Sequence, residues 1–313
     1  MANLRYLALS FRKSIDRSIF SSTFHNIQFL IIEGEWNGLL PDEFWAMSEL
    51  RHFHLKRSFL SYWPKESGPN IMQLASTIGF PQALTCQVQY EEHSLKVLQN
   101  LQSLSTIRPI SCTKVIFLSM PNLKKLRVYE NEEDYGFRGW FNNLIHLKEL
   151  QILKYVFRDP FVSGFMKPVC LPSPDFFPQK LMNLTLSGTS FPWEDMLKLS
   201  VLPVLEVLKL KNYAFAGASW KSEGSGFPRL RYICIGRTNL QVWEADGSHF
   251  PCLKHLVIMN CRLLKEIPCG IGELPLLEKI ELCNCSESAS ASAEQILLEQ
   301  QSYGNDNLVV HIM

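Results

Sequence analysis

The chain contains no apolar run of the roughly 18 residues that a membrane span requires, and its opening, MANLRYLALSF, has no apolar stretch of signal-peptide length. Net charge is nearly missing as well. At +1 it supplies no overall pull toward nucleic acid or membrane, so any electrostatic preference must come from how charges are arranged. There is no G-x-x-x-x-G-K-[ST] phosphate loop, no G-x-S-x-G nucleophile elbow and no H-E-x-x-H helix. A non-enzymatic chain without a cofactor is therefore expected. The nine cysteines are odd in number and lack a disulfide-scaffold spacing, which predicts reduced thiols and a cytoplasmic, or nuclear, location.

What is present is a spacing. In Leu253 to Cys285, LKHLVIMNCRLLKEIPCGIGELPLLEKIELCNC, the residues Leu253, Leu256, Ile258 and Cys261 stand at offsets 0, +3, +5 and +8, and the pattern restarts 24 residues later as Leu277, Ile280, Leu282 and Cys285. Offsets +3 and +5 share one face of a short strand. This L-x-x-L-x-L-x-x-N/C form is the leucine-rich repeat. Eleven starts can be placed, at residues 4, 27, 50, 101, 123, 147, 181, 205, 230, 253 and 277, the fourth weak because Thr106 holds its +5 place and Ile107 lies one beyond. Proline stands two residues before the start at Pro121, Pro203, Pro228, Pro251 and Pro275. Fixing its own φ and lacking an N–H, it ends a convex segment and feeds a strand.

The fold class expected is α/β, a leucine-rich-repeat solenoid: a curved horseshoe with a parallel sheet on its concave face and an irregular or short-helical convex side. Residues 1–286 would form the repeat domain, with an irregular insertion at about 58–95. Residues 287–313 would add a C-terminal helix, capped by Ser292 with Gln295 and packed through Ile296 and Leu297, then a covering strand through Leu308, Val310 and Ile312. The first strand, with nothing amphipathic before it, reads as a start inside an array. Glycine-rich GASWKSEGSG, Gly217 to Gly226, reads as a surface loop.

Strand offsets +1, +2, +4 and +6 face away from the buried stripe, where solenoids usually bind. In the eleven starts they hold twelve cations, Arg5, Arg51, Lys56, Lys124, Lys125, Arg127, Lys148, Lys209, Lys211, Arg231, Lys254 and Lys279, with His52, His54 and His255. Only five acids stand against them: Glu33, Glu149, Glu206, Glu278 and Glu281. Such a basic face either docks an acidic protein surface or is simply solvated. Nucleic acid is not expected, because Tyr6, Phe29, Tyr129 and Tyr232 are scattered and no basic run stands out. Cys252, His255, Cys261 and Cys269 fall at offsets on different sides of a coil, so no metal site is expected from them. Cys261 and Cys285 fit the N/C position, whose side chain satisfies turn backbone.

The phrases MPNLKKLRV, FPRLRYICI and FPCLKHLVIMNC, with LKEIPCGIGELPLLEKIEL and the tail SASAEQILLEQQSYGNDNLVVHI, resemble the C-terminal half of plant intracellular immune receptors. The likeness is closest to the coiled-coil class of nightshade late blight resistance proteins. The resemblance implies a repeat domain that senses a pathogen effector or a guarded host protein and restrains a nucleotide-binding switch domain. The coiled-coil and nucleotide-binding domains themselves are not in this chain. By the same resemblance Arg5, Arg51 and Lys56 would belong to a restraining surface, and Lys209, Lys211, Arg231, Lys254 and His255 to a sensing one. Two other uses of such repeats are a substrate adaptor of a ubiquitin ligase, which would need an F-box bundle before the first repeat, and an extracellular receptor, which would need a secretion signal.

Overall fold

The structure is a computed structural model and describes residues 4–11, 26–33, 44–56, 97–130, 138–157, 170–224 and 226–313. The insertion expected at about 58–95 lies outside them. Among the described residues sixteen strands follow in chain order. The first eight are β1 (Tyr6–Ser10), β2 (Phe29–Glu33), β3 (His52–Lys56), β4 (Ser103–Ile107), β5 (Lys125–Glu130), β6 (Ile152–Phe157), β7 (Asn183–Ser187) and β8 (Phe191–Pro192). The rest are β9 (Val207–Lys211), β10 (Phe215–Ala216), β11 (Ser219–Lys221), β12 (Tyr232–Gly236), β13 (Val242–Glu244), β14 (His255–Met259), β15 (Lys279–Cys283) and β16 (Val309–Ile312). Twelve of them form one sheet in the order β1-β2-β3-β4-β5-β6-β7-β9-β12-β14-β15-β16. Every pairing in it is parallel, and β8–β10 and β11–β13 pair separately. Parallel pairing of one strand with the next along a single sheet is the pattern of a solenoid.

The pairing is almost entirely in register, so equivalent offsets lie side by side. Leu7, Leu30, Phe53, Leu104, Leu126, Leu153, Leu184, Leu208, Ile233, Leu256, Ile280 and Val310 form one continuous row at +3. From Leu30 to Ile280 they are buried in a single core. Before most strands of the large sheet the chain makes a turn in which the offset 0 amide donates to the carbonyl three residues earlier, as Leu123 to Met120, Leu253 to Phe250 and Leu277 to Leu274. The expected prolines occupy the second place of that turn, the one their fixed φ suits.

Two departures from the expected register have local causes. The sixth coil starts at Leu150, not Leu147: Leu126 pairs with Leu153, and Leu150, Leu153 and Tyr155 are the buried set. Leu147 is the turn residue at offset −3, whose carbonyl takes the Leu150 amide. Leucines at −3, 0 and +3 made the comb slip by one tooth. In the fourth coil a bulge at Thr106, whose φ is 67°, returns Ile107 to the inward position opposite Val128, and the Thr106 hydroxyl donates to the Leu55 carbonyl.

The wall opposite the sheet is closed by rings. Trp193, Phe215, Trp220, Trp243 and Phe250 run through successive coils. Trp193 and Trp220 stack at 5.1 Å and 14°, and Trp220 and Trp243 at 5.0 Å and 4°. The glycine-rich stretch is thus not wholly a surface loop, because it carries β11 with the buried Trp220. Its Gly226, at φ 64°, would place a Cβ 2.2 Å from the His249 carbonyl oxygen, so only glycine fits there. Among the helices are α1 (Lys114–Leu118), α2 (Met196–Ser200), α3 (Cys269–Gly272) and α4 (Glu287–Ser302). Asp195, buried before α2, accepts the Leu171 amide at 2.5 Å while Lys198 donates to the Leu171 carbonyl at 2.7 Å, which pins the chain at Leu171.

At the C-terminal end α4 begins earlier than expected. Its cap is Ser286, which accepts the Ala289 amide and donates to the Leu264 carbonyl. Ser292 lies inside the helix and takes the Ile267 amide at 2.9 Å. Ala289, Ala293 and Ile296 are buried, with Ile296 against Gly272, where a Cβ would approach its Cγ2 to 2.8 Å. The strand β16 then extends the sheet over β15.

Because each coil is held by its neighbours, damage at one should spread. Leu208 is fully buried, so Leu208→Ala is expected to cost about 2–5 kcal/mol in urea denaturation. Hydrogen exchange should accelerate in β7 and β12 as well as β9, and acceleration confined to β9 would contradict the packing described.

A candidate protein-docking face

Side chains at +2, +4 and +6 project from the open side of the sheet, so the composition of each row follows from the register. The middle of this face is basic. Arg127 on β5, Lys154 on β6, and Lys209 and Lys211 on β9 occupy it, with Lys125 beside Arg127 and Lys124 at the adjoining rim. Among the described residues no carboxylate lies within ion-pair distance of Arg127, Lys154, Lys209 or Lys211. Lys154 is half-buried; desolvation, then the charges of Arg127, Lys211 and Lys209, push its ammonium below the usual lysine range. The Lys209 ammonium sits over the Tyr232 ring, 5.1 Å from its centre.

Toward the C-terminal end the charges cancel. Lys254 meets Glu278 at 2.5 Å, His255 lies 3.5 Å from the same carboxylate, and Lys279 pairs with Glu281. The Lys254 hydrogen bond holds the Glu278 carboxyl below its ordinary range. These pairs are exposed and add little stability. Their effect is to remove Lys254 and Lys279 from the free charge of the face. Arg231 stands exposed between the two regions.

The N-terminal end is aromatic. Tyr6 and Phe29 lie 6.2 Å apart, Phe29 stacks on His52 at 4.4 Å, and both His52 and His54 reach the Ser103 hydroxyl, at 2.8 and 3.2 Å. Arg5 and Arg51 are exposed at the rim, and Lys56 closes β3. The expected cations and histidines are therefore spread along the sheet rather than gathered in one place. Lys148 and Glu149, placed on the face by the slipped register, lie in the turn before β6, where Glu149 pairs with Lys180 at 2.6 Å. Lys154 takes their place. The signal for it was the L-x-x-L of Leu150 and Leu153, one tooth along.

The thiols match the offset argument. Cys261 and Cys285 stand within hydrogen-bond reach of carbonyls at the end of β14, at 3.4 Å from Met259 and from Ile258 respectively. Burial pushes the Cys261 thiol up to about 12, so it is a packing group rather than a nucleophile. Among the described residues no group of His, Cys, Asp and Glu is arranged to hold a metal ion, and no helix is long and apolar enough to cross a membrane.

Twelve parallel strands on one side, short helices, turns and ring stacks on the other, and a repeating L-x-x-L-x-L core define a leucine-rich-repeat solenoid. No family model matches the chain. Over 97% of its length it is 31% identical to a late blight resistance protein homolog from Solanum demissum, covering 21% of that protein. A second such homolog from the same plant is 28% identical over 98% of the chain and 21% of its own length, and a third 30% identical over 97% and 36%. The chain is thus similar to late blight resistance protein homologs over nearly its whole length, and it spans about a fifth to a third of the curated relatives it matches. Among solved structures an internalin from Listeria monocytogenes aligns with 98% of this chain and 86% of its own, at 11% identity and a TM-score of 0.44.

Burial and the neighbouring charges of His54, Lys125 and Arg51 lower the His52 pKa from 6.5. The unfolded chain then takes up the proton first, so this contribution to stability is present above 6.5 and is lost as pH falls from there through the lower native value. Proton NMR of the His52 ring should show a midpoint below 6.5, and a midpoint at or above it would contradict the packing against Phe29 and Ser103.

Proposed function

We propose that this chain is the recognition module of a plant disease-resistance protein of the nucleotide-switch type, working in the cytoplasm as a non-enzyme. Its concave face engages an acidic protein surface. In such a protein the partner is either the receptor's own nucleotide-binding switch domain, held inactive, or a pathogen effector or guarded host protein. The observation that carries the reading is the basic middle of the sheet, unpaired with any carboxylate among the described residues, on a chain similar to late blight resistance protein homologs. Complementary charge of this kind speeds encounter and selects partners more than it adds raw affinity. The polar and cationic middle, flanked by the Tyr6–Phe29–His52 row, also supplies the aromatic contacts that protein interfaces favour.

The resemblance split the face into a restraining N-terminal part and a sensing C-terminal part. The charge distribution supports a different emphasis. Lys254 and His255 face Glu278, so the electrostatic part of recognition falls to Lys124, Lys125, Arg127, Lys154, Lys209 and Lys211. An acidic switch domain from a related receptor, added in trans, should bind this chain with an affinity that falls as salt rises. Lys124→Glu combined with Lys125→Glu should weaken it by about tenfold or more. Binding that is indifferent to salt and to these changes would dismiss the docking role.

A further inference from the structure

We propose that the row of cations in the middle of the inner face, centred on Lys154, is a binding site for a compact multivalent anion of the polyphosphate class. This goes beyond the docking of a protein partner and does not depend on it. Arg127, Lys154, Thr185 and Lys209 stand side by side at the same offset on four successive strands of the sheet, with Lys211 one position further along β9. Three strand spacings separate the ends of that row, about 14 Å at the backbone. Side chains as long as lysine and arginine can converge on one ligand across such a span.

The ground between them is polar, and among the described residues no carboxylate pairs with these cations. On β7 the +2, +4 and +6 positions are Asn183, Thr185 and Ser187, and no Asp or Glu occupies any such position from β5 through β12. Two of the cations are held in place: Lys209 over the Tyr232 ring and Lys154 half-buried among its neighbours, whose charges already disfavour its own.

Burial also sets the size of the ligand. Arg127 and Lys211 are exposed and meet any broad surface first, whereas Lys154 lies deeper on its strand. A compact group that enters between them reaches all four cations and the Thr185 hydroxyl together. A carboxylate on a folded protein brings one charge at a time, but a tripolyphosphate brings several within a few ångströms and relieves the mutual repulsion in one event.

Titration calorimetry of the whole chain with sodium tripolyphosphate, in about 150 mM salt, tests this. One site is expected, weakened about tenfold by Lys154→Gln or by Lys211→Gln, restored in Lys154→Arg, and unchanged in Lys180→Gln, whose ammonium is engaged by Glu149 away from the face. Circular dichroism confirms that each variant is folded. Absence of heat with tripolyphosphate, or equal binding by Lys154→Gln, overturns the site. An oligoglutamate peptide of equal charge that binds as tightly overturns the ligand class while leaving protein docking intact. Loss of peptide binding with retained tripolyphosphate binding has the opposite meaning, sinking the docking reading alone.

Discussion

One constraint governs the molecule: each inward side chain must lie against its counterpart in the next coil. Parallel in-register pairing makes that automatic, since Leu184, Leu208, Ile233, Leu256 and Ile280 occupy one row and are all fully buried. A coil of some two dozen residues buries a handful of aliphatic groups, worth roughly 1.5 to 3 kcal/mol each, against a backbone ordering cost of about 1 to 2 kcal/mol per residue. No coil is stable by itself, so the stack is the folding unit. The two ends of the sheet differ accordingly. At β1, Leu4 and Tyr6 are 38% and 54% exposed, whereas at the other end β16 and the helix α4 cover β15.

The same alternation that buries the +3 and +5 rows leaves +2 and +4 free of packing duties, and there the composition diverges from coil to coil. Three regions result: an aromatic and histidine region, a basic region with no counter-charge among the described residues, and a region where lysine and glutamate neutralise one another. Uniform cores with differentiated faces allow one architecture to serve many partners.

Much of this was legible in the sequence, because a period of about 24 residues with leucine at fixed offsets admits few other folds. Ten of the eleven proposed starts hold their register. The exception, Leu147, failed because turn and strand positions carry the same residue type three apart, so composition could not separate them. The bulge at Thr106 was visible only as a weak tooth, since its cause is a left-handed backbone conformation. The role of Trp220 was hidden by the glycines around it. On the face, the sequence could count cations but not cancel them: Glu278 and Glu281 neutralise their neighbours only once side chains are placed. Lys154 became visible only when the sixth coil was moved by one tooth.

The ring stack of the outer wall has an optical consequence. The indoles of Trp193, Trp220 and Trp243 lie face to face, about 5 Å apart, in three successive coils. Chromophores so arranged share their excited state, and the resulting near-ultraviolet dichroism belongs to the interval between coils rather than to any single tryptophan. The protein therefore carries a built-in gauge of its own curvature, readable without a label.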